Sequence, residues 1–320
     1  MAGAASLDAV RRGGKVALAQ ALSDLESAPD ARATLSLLDA AYHAPKGHVI
    51  GLTGPPGVGK STLAAALVRH WRSMGESVGV VAVDPSSKIG GGSLLGDRMR
   101  MAANPEDQNL FIRSMAAGGQ LGGLSESAFP AIILMRALFD RVLVETVGVG
   151  QSETDISGVA DSVVFCVQPG SGDSLQFMKS GIMEVPDMFV VTKADLGDMA
   201  AKAVADLEGA LSLRLHPGDW DAKVLQVSTL DPGLGIGPLI AALDAHEHWL
   251  KTQGRRDLKR RDQMRSWGHT NLLLHIGRDG LAALSEKSLR QLDGETPFQS
   301  LYQLRISVQF QSRETPSSPD

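Results

Sequence analysis

The run Gly54-Pro-Pro-Gly57-Val58-Gly59-Lys60-Ser61-Thr62 constrains this chain more than any other feature. It follows the apolar stretch Val49-Ile-Gly-Leu-Thr53 and precedes a helical pattern from Leu63 to Trp71, the strand, loop and helix order of a Walker A phosphate loop. Glycines at 54, 57 and 59 let backbone N–H groups turn inward around phosphates, and the N-terminus of the next helix adds its partial positive charge. In such a loop Gly57, Val58, Gly59, Lys60, Ser61 and Thr62 line the phosphates; Lys60 reaches the β and γ phosphates, and the Ser61 hydroxyl ligates Mg²⁺. The implied ligand is a nucleoside triphosphate.

The surrounding pattern is α/β. Short apolar runs at His48 to Thr53, Ser77 to Val83, Leu110 to Met115, Arg141 to Thr146, Ser162 to Val167, Met188 to Thr192 and Lys223 to Val227 alternate with helical spacing. This alternation predicts a mainly parallel sheet flanked by helices on both faces, with ligands at the carboxyl ends of the strands. Before it, residues 6 to 43 read as two helices split by Ala28-Pro29-Asp30; after it, Leu239 to Leu250 closes the domain as a helix and Arg255 to Leu304 reads as further helices. The expected division is an N-terminal helical extension over 1–46, a P-loop domain over 47–250, a C-terminal helical dimerisation region over 251–310 and a disordered tail over 311–320. The leucines at 272 to 274, 281, 284, 289 and 292 must be buried against the domain or against a second subunit, and a two-fold interface is the expectation.

Composition narrows the partners. A net charge of −5 offers no footprint for nucleic acid, and the run Arg255-Arg-Asp-Leu-Lys259-Arg260-Arg261 reads as a solvated helix face. With one cysteine, Cys166 in an apolar strand, neither a disulfide framework nor a thiolate metal cluster can form within the chain. No segment has the length and apolarity to span a bilayer, and the start lacks a signal-peptide pattern, so a cytoplasmic location is expected.

The base is read from Val190-Val-Thr192-Lys193-Ala-Asp195, which resembles the guanine motif Asn-Lys-x-Asp of GTPases. A carboxylate at Asp195 can accept from guanine N1–H and the exocyclic amine, whereas adenine has no matching donor pair. Lys193 would lay its aliphatic stem over the base plane. Thr192 stands where Asn is commoner and supplies only a hydroxyl, a weaker brace. Val227-Ser228-Thr229 falls where a backbone loop approaches guanine O6. Glu145, at the end of a predicted strand, fits a Walker B carboxylate holding Mg²⁺ directly or through water, and Gly148 lets its N–H approach the γ-phosphate.

Five further strings carry a family resemblance: Ala82-Val-Asp84-Pro-Ser-Ser87, Gly91-Gly-Ser-Leu-Leu-Gly96-Asp97-Arg98, Leu121-Gly-Gly-Leu124, Val144-Glu-Thr-Val-Gly148-Val-Gly-Gln-Ser-Glu153 and Pro169-Gly-Ser-Gly-Asp173-Ser-Leu-Gln176. From about Gly47 to about Leu304 the chain resembles the MeaB/ArgK GTPases, which are associated with adenosylcobalamin-dependent acyl-CoA mutases and related to the metallochaperone GTPases of hydrogenase and urease maturation. The resemblance implies a SIMIBI-type P-loop fold and a homodimer that hydrolyses GTP slowly while gating cofactor loading and protecting a mutase. An adenosyltransferase is implied as a further partner. It also implies Asp84 and Asp97 as carboxylates near Mg²⁺, Gly148 to Glu153 as switch II, and Asp173, Gln176 and Lys179 in a switch III that couples to the mutase. Lys60, Asp97, Glu145 and Lys179 are then the catalytic set.

Lys88 and Ser174 depart from the family, which usually has Pro and Glu there; Ser174 removes a charge from the coupling segment. Two other functions fit the residues less well. A nickel metallochaperone would carry His-rich tracts or Cys/His clusters, whereas the eight histidines are scattered. A kinase linked to amino-acid transport would need an acceptor site and catalytic base, and neither is evident.

Overall fold

The structure is a computed structural model that describes residues 6–84, 106–116, 124–146, 155–170, 185–212, 219–230 and 234–314. Seven strands, β1 (His48–Thr53), β2 (Val78–Asp84), β3 (Leu110–Ala116), β4 (Arg141–Glu145), β5 (Ser162–Val167), β6 (Met188–Val191) and β7 (Lys223–Gln226), form one sheet. Its order is β3-β2-β4-β1-β5-β6-β7, and every neighbouring pair is parallel. Each strand lies within one residue of its sequence-predicted bounds. The chain leaves β1 toward β2 on one side and later reaches β5 on the other, so the crevice beside β1 is a topological switch point, where open α/β sheets bind ligands.

Strand alternation divides the core in two. Ile50, Leu52, Val78, Val80, Leu143, Val164 and Val190 face one way and pack with Leu63, Leu67 and Trp71 of α3 (Lys60–Ser73) and Leu239 and Leu243 of α6 (Ile236–Thr252). Val49, Val81, Val83, Val142, Val144 and Val163 face the other way. They belong to a cluster with α1 (Leu7–Ser27), α2 (Arg32–His43) and α4 (Ala128–Arg136). Beyond the sheet edge, α5 (Asp198–Leu211) adds Ala200 and Leu207 to Phe165, Phe189 and Val191.

The C-terminal helices are α7 (Arg255–Ala282), kinked at Gly277, the short α8 (Glu286–Leu289), and α9 (Pro297–Glu314), which runs into residues expected to be tail. Met264 of α7 and Phe298 of α9 lie in the same core cluster as α2 and α4. Leu272, Leu292, Leu301 and Leu304 are buried in a cluster of their own, with Leu281, Leu284 and Leu289 packed against it. The expectation of a two-fold interface is corrected for this cluster alone, which the chain itself covers: periodicity shows which face of a helix is apolar, not what covers it. Leu258, Leu273 and Leu274 remain exposed.

A polar junction joins the domain to α6 and α7. Arg260 is buried and grips buried Asp161 in a fork, Nε to Oδ1 at 2.8 Å and Nη2 to Oδ2 at 2.7 Å, while Lys259 Nζ donates to the Asp161 carbonyl. The basic run is therefore not merely a solvated face; part of it docks the helix. Beside it, Ser162 Oγ lies 2.7 Å from His48 Nε2 and 2.6 Å from His246 Nδ1. One hydroxyl proton can serve only one imidazole, so the other ring must donate to the serine. Burial pushes the His48 pKa down to about 4, against the pull of Asp161. The unfolded chain thus takes up a proton near the ordinary imidazole value of about 6.5 before the folded chain does. Stability should fall as pH drops through the window from there to about 4, by on the order of 3 kcal/mol from this group. Urea unfolding between pH 7 and pH 4.5 should show this slope, and His48→Gln should flatten it; an equally steep profile in the variant would refute the assignment.

Candidate nucleotide site

The loop after β1 is built by glycine. Gly54, Gly57 and Gly59 have φ of 133°, 74° and 103°, the left-handed region that L side chains rarely adopt. A Cβ on Gly54 would lie 2.2 Å from the Cys166 carbonyl oxygen, so the loop can begin this close to β5 only without a side chain. Gly59 is the N-cap of α3 and Lys60 its first residue, which leaves the first N–H groups of the helix facing the loop. Lys60 is buried, and its Nζ donates to the carbonyls of Gly54 at 2.6 Å and Pro55 at 2.8 Å. Val58 is buried; Thr62 is exposed.

Ser61 Oγ donates to Glu145 Oε1 at 2.7 Å. This contact exists because β4 pairs directly with β1, Leu52 beside Glu145, so the two loops leave adjacent strands. Glu145 is fully buried, and its Oε2 has no hydrogen-bond partner among the described residues. Burial pushes the carboxyl pKa up, while Ser61 and Lys60 pull it down. An orphaned carboxylate oxygen beside a hydroxyl is a hard oxygen donor set that fits Mg²⁺.

The loop after β6 reaches the phosphate loop. Thr192 Oγ1 donates to the Val58 carbonyl at 2.7 Å, with the Val167 carbonyl at 3.0 Å. The hydroxyl expected to brace weakly therefore spans two loops. Lys193 has φ of 54°, the only positive value outside glycine among the described residues, and its Nζ donates to Gln168 Oε1 at 2.6 Å. Ser228 Oγ donates to Asp195 Oδ1 at 2.6 Å, so the loop after β7 orients the carboxylate expected to read the base; Thr229 follows, half-buried.

The described candidates thus gather at the carboxyl edge of one sheet. Asp84 ends β2 at that edge. Asp97, Gly148, Asp173, Gln176 and Lys179, with Lys88, Gln151 and Ser174, lie outside the described residues. Gln168 escaped the sequence reading; its one signal is a polar residue closing an otherwise apolar strand.

A sequence model of the family described as methylmalonyl-CoA mutase-associated GTPase MeaB matches residues 18–276. The chain belongs to this family. The GTPase ArgK of Escherichia coli K12 is 38% identical over 271 residues, 82% of each chain. The mouse mitochondrial protein named methylmalonic aciduria type A homolog is 39% identical over 223 residues, 68% of this chain and 53% of that one. Among solved structures, one titled LAO/AO transport system kinase has TM-score 0.69 and 29% identity and covers 97% of this chain and 99% of its own. This MeaB-family chain is accordingly a P-loop GTPase. Among its described residues no helix is long and apolar enough to cross a membrane.

Proposed function

We propose that the chain is a GTP-hydrolysing chaperone of a B12-dependent acyl-CoA mutase, methylmalonyl-CoA mutase or a close relative. In this role it gates cofactor loading and protects the mutase from inactivation. The observation that carries the reading is the match to a mutase-associated GTPase family across residues 18–276, joined to a guanine-type loop tied to the phosphate loop through Thr192. The mouse relative's name supports the same partner.

In this reading Gly57 to Thr62 cradle the triphosphate, Lys60 leaves its loop carbonyls for the β and γ phosphates, and Gly148 approaches the γ-phosphate. Ser61, Asp84, Asp97 and Glu145 hold Mg²⁺, which when bound neutralises charge developing on the phosphoryl oxygens. Lys193 covers the base and Asp195 reads it, with Ser228 and Thr229 closing the edge. Asp173, Gln176 and Lys179 carry the nucleotide state to the mutase, so hydrolysis is slow until the partner completes the site. The protein acts in the cytoplasm as a homodimer through α7, whose exposed Leu258, Leu273 and Leu274 support a partner surface, with an adenosyltransferase as a further contact.

Single-turnover GTP hydrolysis with and without purified methylmalonyl-CoA mutase tests the reading. The expected result is at least about a tenfold acceleration by the mutase, a modest share of the roughly 10³–10⁵ that a partner-completed GTPase site can gain. An unchanged rate with methylmalonyl-, ethylmalonyl- and isobutyryl-CoA mutases would contradict it.

A further inference from the structure

Thr192 and Gln168 stand side by side in the base loop's support. The Thr192 hydroxyl has one proton and two carbonyls within reach, Val58 O at 2.7 Å and Val167 O at 3.0 Å. The Val167 carbonyl also accepts from the Thr192 backbone N–H at 2.9 Å, so the base loop is tied to the end of β5 through its backbone while the hydroxyl serves the Val58 carbonyl. Gln168 is the first residue after β5, half-buried, and its Oε1 accepts from Lys193 Nζ at 2.6 Å.

Lys193 needs this support on two counts. Its backbone sits at φ 54°, a conformation with a Cβ penalty for any L side chain, so the loop holds it under strain. Its side chain is exposed, and a free lysine loses much rotamer freedom when it must lie across a ligand. Anchored at Nζ, the four-carbon stem is already ordered between Cα and the end of β5. A charge-assisted hydrogen bond to a half-buried amide oxygen is suited to hold it.

We propose that Gln168 is a positioning residue for the guanine base, fixing the Lys193 stem across the base plane from the end of β5. The proposal rests on the reading of residues 192–195 as the base loop. It assigns distinct tasks to the two ends of that loop. Asp195 reads the amine of guanine and separates GTP from ITP, which lacks that amine, whereas Gln168 acts through a stem that packs on either base alike.

The test uses the full-length protein and four measurements: Kd for GTP, Kd for ITP, kcat at saturating GTP, and the unfolding midpoint. Gln168→Met keeps the side-chain length and removes the acceptor. It should raise Kd about fivefold for GTP and ITP alike, the scale of one hydrogen bond, with kcat and the midpoint unchanged; Gln168→Leu should behave the same way. Gln168→Glu, which still accepts from the ammonium, should stay within about twofold of wild type. The proposal is overturned if Gln168→Met binds both nucleotides as wild type does, or if it weakens GTP but not ITP. Failure of wild type itself to prefer GTP over ITP would instead overturn the base-loop reading on which the proposal stands.

Discussion

Lys60→Ala should bind GTP about a thousandfold more weakly than wild type, with its thermal unfolding nearly unchanged. The lysine's Nζ reaches the carbonyls of Gly54 and Pro55 in its own loop and is positioned to exchange them for phosphate oxygens. Charge-assisted hydrogen bonds to phosphate contribute about 1.5–3 kcal/mol each, and two of them lost together amount to about three decades in Kd. Against this, alanine removes hydrogen bonds that only close the loop on itself. It deletes a buried cation and leaves the apolar contacts of α3 in place, so stability should change by about 1 kcal/mol or less. Isothermal titration with Mg²⁺ and GTP, alongside an unfolding curve, separates the two effects. A folded variant with wild-type GTP affinity would remove the phosphate-loop assignment.

Asp195→Asn should lower GTP affinity by a similar factor and open the site to xanthosine triphosphate. The carboxylate is an acceptor at both oxygens, which suits the N1–H and amine of guanine; the amide keeps one acceptor and presents one donor. Xanthine carries a carbonyl where guanine carries its amine, so the new donor finds an acceptor there while the GTP amine meets another N–H. A buried mismatch of this kind discriminates strongly because both groups lose water without gaining a partner. Ser228 Oγ donates to Oδ1 at 2.6 Å, and the amide oxygen can keep that bond, so the loop should stay in place. Competition binding of GTP and XTP to both proteins measures the switch. Unaltered GTP binding, or no gain for XTP, would show that Asp195 does not read the base.

The sheet was legible because parallel strands buried on both faces read as unbroken apolar runs between loops, as Ser162–Val167 and Met188–Val191 do. The phosphate loop, Glu145 and the Thr192–Asp195 loop were legible because each motif sits at a strand end, where topology forces convergence. What stayed hidden depends on partners far away in the chain. Arg260 looks like one cation in a solvated run until Asp161, 99 residues earlier, is placed beside it. Gln168 is a single polar residue until the fold brings Lys193, 25 residues later, to its amide oxygen. The leucines of α7 to α9 showed an apolar face, and only the fold shows that α2, α4 and their own neighbours cover most of it.

The central claim is that the strand-end loops form a guanine-selective triphosphate site. The most direct measurement is a side-by-side titration of wild-type protein with GTP and ATP in Mg²⁺. The account predicts that GTP binds at least about a hundredfold more tightly than ATP, the discrimination expected of a site built to pair with the base. Equal affinities would contradict it.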